Sequence, residues 1–221
     1  MDKRKVLFGT YDTDADGLWT LNQCKLGDVQ QQVNLISVPG RRKGPLDLST
    51  VLTAGEPIYA ERVLTVRLES SEGTRQEREN RINTMINWLD GWRLNVVLPD
   101  DAGHYLTGRV HVAVDYNDTA HAAVVVTVTC EPWRYASNET TVTLTAAETA
   151  QTATLTNSGR MTVVPLLVVA GGTVNLTFGD NSWSLGAGTY QQPDLVLAQG
   201  SSTVTYSGSG TLTITYREAV L

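Results

Sequence analysis

The sharpest chemical spacing in this chain is Asp12, Asp14 and Asp16, followed by Gly17. Oxygen donors at loop positions 1, 3 and 5, with glycine at 6, match the first half of an EF-hand calcium loop. Position 12 of such a loop supplies a bidentate glutamate. Here it is Gln23, a neutral side chain, and the flanking residues read as strands rather than helices. An acidic surface loop is the favoured reading, with a calcium site as its alternative.

The other titratable residues do not assemble by spacing. His104, His111 and His121 are scattered, whereas metal sites need clustered His, Cys or carboxylate ligands. No serine sits in a nucleophile-elbow pattern, and neither Cys24 nor Cys130 has a histidine at a useful spacing. Asp100 and Asp101, beside Pro99 and Gly103, read as turn formers. The expectation is a protein that is not an enzyme, with no catalytic, metal or cofactor-binding residues and no cofactor.

Binding residues are a different matter. Arg41, Arg42 and Lys43 form a basic loop. They suit phosphate contacts or, as favoured here, a grip on carboxylates of a neighbouring subunit. Trp92 and Trp133 are candidate interface anchors, and Trp183 and Tyr190 candidate carbohydrate contacts. Trp88 lies next to an apolar helical stripe and is assigned to core packing.

The elements that must hold these residues follow from periodicity. Arg62–Glu69 alternates with period two, setting Leu64, Val66 and Leu68 on one face, as a half-buried strand does. Thr74-Arg75-Gln76-Glu77 is a capping box, and Ile82, Met85, Ile86 and Leu89 fall on one helical stripe. Gly91 is placed to end that helix in a left-handed conformation. Strands are expected at 6–8, 18–21, 93–98, 105–114 and 122–130, with an extended stretch over 30–38. Pro132 is expected to end the sheet. Beyond 136, short strands rich in Ser and Thr recur at 140–146, 151–156, 163–169, 173–178, 182–185, 194–197, 202–207 and 211–216. Between them stand turn signals such as Gly171-Gly172 and Gly208-Ser209-Gly210. Even spacing of short strands points to an antiparallel sandwich.

Bulk properties bound the function. The chain has 221 residues, 41% hydrophobic and 18% charged, with a formal net charge of −6. That charge argues against a duplex-binding face. Arg160 and Arg217 are the only basic residues from 136 onward, so the expected division is a domain over 1–135 and a second over 136–221. Two distant cysteines read as reduced. The N-terminus has no apolar stretch of a signal peptide, and no apolar run spans a bilayer. No membrane insertion is expected.

Pro39-Gly40-Arg41 followed by Gly44-Pro45-Leu46-Asp47-Leu48-Ser49 resembles the distal tail proteins of long, flexible-tailed phages. So does the order around it: the capped helix, Leu94–Leu98, Tyr105–Val110, and Val126–Trp133 at the end of the first domain. Asn157-Ser158-Gly159 with Val164-Pro165-Leu166 is similar to the opening of that family's second domain. The resemblance implies a mainly β protein: an N-terminal ring-forming β domain with one helix, and a C-terminal, galectin-like β-sandwich. It further implies a homo-hexameric ring at the virion tail tip, assembled in the bacterial host cytoplasm. Such a ring joins the tail-tube protein to the tail-associated hub or baseplate protein and lets DNA pass through its channel without sequence-specific binding. Some family members carry an inserted carbohydrate-binding module. The second domain here, of 86 residues, has no room for one.

Overall fold

The computed structural model describes residues 5–15, 18–40, 42–53, 55–115 and 122–221. The chain forms two compact units, Met1–Pro132 and Trp133–Leu221. It is mainly β, with one α-helix among the described residues.

The N-terminal unit contains β1 (Leu7–Phe8), β2 (Tyr11–Asp12), β3 (Thr20–Leu26), β4 (Leu35–Ile36), β5 (Leu46–Asp47), β6 (Arg62–Ser70), helix α1 (Arg75–Leu89), β7 (Arg93–Leu98) and β8 (Asp101–Asp115). Strand β9 (Ala122–Ala136) runs from it into the C-terminal unit. The main sheet has the order β2-β1-β7-β8-β9-β6-β3.

Alternation builds its core. Leu64, Val66 and Leu68 of β6 and Val124, Val126, Val128 and Cys130 of β9 are all fully buried. Each such leucine contributes about 2 kcal/mol by leaving water. Burial pushes the Cys130 thiol up to about 11, so it stays protonated at neutral pH. Both cysteines are free.

The capping box closes as the sequence requires. The Thr74 hydroxyl accepts from the Glu77 amide, and the Glu77 carboxylate accepts from the Thr74 amide. Met85 and Leu89 are buried, Ile82 and Ile86 pack on the same core, and Gly91 takes φ +80° beyond the last turn.

Pro132 does not end its strand. The β9 ladder with β6 finishes at Cys130, and from Arg134 a different strand takes over. Pro132 lies between these two ladders, at a position neither of them uses.

The C-terminal unit adds β10 (Thr140–Ala146), β11 (Gln151–Asn157), β12 (Leu166–Phe178), β13 (Asn181–Leu185), β14 (Gly188–Tyr190), β15 (Gly200–Tyr216) and β16 (Ala219–Val220). All its pairings are antiparallel. Four expected strands become two long ones. β12 runs through Gly171-Gly172, and β15 runs through Gly208-Ser209-Gly210.

These glycines mark a bend rather than turns between strands. A Cβ on Gly172 would stand 1.7 Å from the Ser209 carbonyl oxygen, and one on Gly208 2.2 Å from that of Thr173. Leu167 and Val169 before the bend share one core with Val174 and Leu176 after it. The bent sheet therefore covers its own core, as a sandwich does.

The strand expected at 194–197 is only a bridge between Val163 and Leu197, because the Leu195 amide turns back to Gln192. Buried Asn157 fixes this corner. Its amide donates to the carbonyls of Met161 and Leu197, and its side-chain oxygen accepts from the Gly159 amide.

Candidate functional site

The acidic loop is held from within. Lys5 pairs with Asp12 at 2.8 Å, and the other Asp12 oxygen accepts the Asp14 amide at 2.9 Å. Asp16 and Gly17 lie outside the described residues, and Gln23 sits on β3 opposite Arg67. His104 bonds Asp101 and His111 bonds Asp90, while His121 lies outside the described residues. Among the described residues, no group of three or more His, Cys, Asp or Glu has metal-site proximity.

The basic loop sits at the tip of an arm. Between the end of β3 and the start of β6 the chain leaves the sheet and returns. At the base, Gln32 donates to Ile58 and Ala60 to Gln30. Further out, β4 pairs with β5 and Leu48 donates to Asn34. The Ser49 hydroxyl accepts the Asn34 amide. Arg42 and Lys43 are exposed in the turn, and Arg41 lies outside the described residues.

This arm contributes no described residue to the N-terminal core. It nevertheless carries Val33, Leu35, Ile36, Val38, Leu46, Val51, Leu52 and Ile58 in exposed positions, Leu52 at 96% and Val51 at 63%. Single exposed apolar residues are ordinary, but eight on one excursion of the chain are not. Residue types alone did not reveal this set. Apolar residues in an extended stretch read as a buried strand until tertiary structure withholds a cover.

A second apolar surface lies at the end of α1. Trp88 and Trp92 are 59% and 62% exposed. Trp88 therefore does not join the core as its place beside the stripe suggested. With Phe8, Thr10, Asn87, Leu89 and Leu94, the two indoles line a cavity of about 410 Å³. A smaller one of about 190 Å³ shares Thr10 and Trp88 and adds Tyr11, Asp12, Thr13, Ala15 and Trp19.

Backbone bonds fix the helix exit beneath these rings. The Gly91 amide donates to the Val110 carbonyl at 2.9 Å, and the Val110 amide to the Trp92 carbonyl at 2.8 Å. The Asp90 carboxylate accepts from the Val112 amide at 2.8 Å and bonds His111 at 3.0 Å. These two contacts hold its pKa below the usual range. Nearby, Arg109 donates to the Gly91 carbonyl at 2.7 Å, and Arg93 pairs with Glu131.

In the C-terminal unit, Trp183 lies opposite Leu176 on β13 and is half-buried against the core. The Tyr190 hydroxyl donates to the Gly186 carbonyl at 3.2 Å. Trp133 is half-buried on β9, at the first position of this unit. Trp92 joins a surface with Trp88, and Arg42 and Lys43 lie on the apolar arm. Among the described residues, no helix is long and apolar enough to cross a membrane.

No protein-family model matches this chain, and no curated protein matches it. Its fold is similar to that of the SPP1 Dit protein (gp 19.1), described as a paradigm of the hub adsorption apparatus in Gram-positive-infecting phages. The TM-score is 0.71 at 13% sequence identity, covering 98% of this chain and 99% of that chain. The likeness is one of fold: a mainly β chain of Dit-like architecture.

Proposed function

We propose that the protein is a structural component of a phage tail tip: a subunit of a homo-hexameric ring that joins the tail tube to the hub or baseplate and lets DNA through its centre. The exposed apolar arm over residues 28–60 carries this reading. A surface of that kind is costly on a permanent monomer and useful in an assembly. The nearly full-length likeness to SPP1 Dit supports a tail role. In this reading the protein resides in the virion tail and performs no catalysis, and Arg41, Arg42, Lys43, Trp92 and Trp133 serve contacts between subunits and with tube and hub proteins.

Co-purification with the tail-tube and hub proteins encoded alongside it, followed by negative-stain imaging, tests the proposal. Six-fold rings capped by either partner support it. Purified protein that captures neither partner and forms no ring rejects it.

A second role, contact with host-wall carbohydrate by the C-terminal unit, draws on the half-buried rings of Trp183 and Tyr190. Titration with wall polysaccharide, followed by tryptophan emission, gives a saturable change if that role exists and a flat response if it does not.

A further inference from the structure

We infer that Trp88 is the stacking platform of a binding site for a neutral, N-acetylated saccharide. The site lies on the N-terminal unit, apart from the carbohydrate role of Trp183 and Tyr190, and it does not rest on the ring.

Trp88 borders both cavities at the end of α1, and Thr10 is the other residue they share. A pyranose has two kinds of surface. Its C–H face is apolar and carries partial positive charge, which suits the negative face of an indole. Its edge carries hydroxyls, which need polar partners. Both kinds of partner stand here. Asn87 and Thr10 are exposed beside the Trp88 ring, and Tyr11 and Asp12 line the smaller cavity with Trp19. The larger cavity, at about 410 Å³, falls within the range of small-ligand sites, about 300–1,000 Å³.

Charge selects a neutral ligand. Among the described residues, the lining of the larger cavity carries no charge. The smaller one has a single carboxylate, Asp12, which Lys5 balances at 2.8 Å. Each Asp12 oxygen accepts one hydrogen bond, from Lys5 and from the Asp14 amide. A carboxylate has about four acceptor sites, so Asp12 remains open to sugar hydroxyls.

The apolar lining selects the acetyl group. Phe8, Leu89 and Leu94 border the larger cavity. Hydroxyls leave such carbons in contact with water, whereas an acetamido methyl covers them. The acetamido N–H and carbonyl also match the acceptor and donors of the Asn87 amide. The saccharide needs only Trp88 as its platform, which leaves Trp92 for the subunit contacts proposed above.

The walls are preformed. Leu7 pairs with Asp12 and Phe8 with Tyr11 across β1 and β2, and the Val6 amide donates to the Thr13 hydroxyl at 3.0 Å. Binding therefore does not have to order the backbone that carries Tyr11 and Asp12.

The test is calorimetric titration of the purified full chain with N,N′-diacetylchitobiose and, in parallel, with cellobiose. The second has the same linkage, with hydroxyls in place of the acetamido groups. Saturable binding of the first, and binding of the second weaker by about tenfold or more, are expected. Trp88→Ala is expected to weaken the first by about tenfold or more. Its melting temperature should not change, because the ring is more than half exposed. Asn87→Ala, which leaves every indole in place, is expected to weaken the acetylated sugar more than cellobiose.

Equal binding of the two disaccharides overturns the acetyl assignment. A flat titration with both overturns the site. So does binding that survives unchanged in Trp88→Ala, which would place the sugar on another surface such as the C-terminal unit. Lost capture of tube or hub protein by Trp88→Ala, with no heat from either sugar, would show that the groove takes a protein segment instead.

Discussion

The Val110 amide donates to the carbonyl of Trp92 at 2.8 Å, so the residue that presents an exposed indole is itself paired into a β-like ladder. Asp90 reinforces the clamp through the Val112 amide and His111. Asp90→Ala removes both contacts. The expected cost is about 1 kcal/mol of stability, the value of one modest hydrogen bond, with a larger relative loss of self-association because Trp92 is no longer held. Urea titration and light scattering on the same sample separate the two. Equal losses in both would show that Asp90 acts only on the fold.

Asn157 makes three hydrogen bonds while fully buried. Asn157→Ala leaves the Met161 and Leu197 carbonyls and the Gly159 amide without this partner. A loss of about 2–3 kcal/mol is expected, from the cost of orphaned buried polar groups. Denaturant unfolding checks it, and a variant within about 0.5 kcal/mol of wild type, the range of an ordinary surface change, would contradict the anchoring role.

Gly172→Ala places a methyl 1.7 Å from the Ser209 carbonyl oxygen, closer than any relaxation of a side chain can relieve. The bend in β12 and β15 must then open. Soluble expression is expected to fall sharply, with the loss of near-ultraviolet signal from Trp183. Gly186→Ala, which meets nothing within 4 Å, is the control and is expected to fold normally.

These positions show how far the sequence could be read. The capping box, the Gly91 stop and the alternation of β6 were legible because local spacing alone dictates them. The two bends were not. A glycine pair reads as a turn until one knows that a second backbone crosses above it, which is a long-range fact. Trp88 illustrates a finer limit. At about 100° per residue it falls about 60° outside the stripe formed by residues 82, 85, 86 and 89, enough to turn its ring outward. Nor could residue types reveal that the arm lies off the core, since burial is decided by what folds over a strand.

The helix cap supplies a pH signature. Bonds from the Thr74 amide and hydroxyl hold the Glu77 carboxyl below its usual value of 4.5. Because the folded-state pKa is lowered, this contribution to stability is present above 4.5 and is lost as pH falls through the folded value. Thr74→Ala is expected to cost about 1 kcal/mol near neutrality and progressively less as pH falls below 4.5 and through the lowered folded-state value of Glu77. Thermal melts of the two proteins across that range check it. A gap that widens in acid would contradict the cap's charge dependence.

The ring is tested most directly by the mass of the purified full-length protein in solution, measured by light scattering over a concentration series with and without the tail-tube protein. A closed hexamer predicts a species at six times the 24.0 kDa chain, reached without populated intermediates and lost in Leu52→Asp. A mass that remains at 24.0 kDa throughout, alone and with the tube protein present, would contradict it.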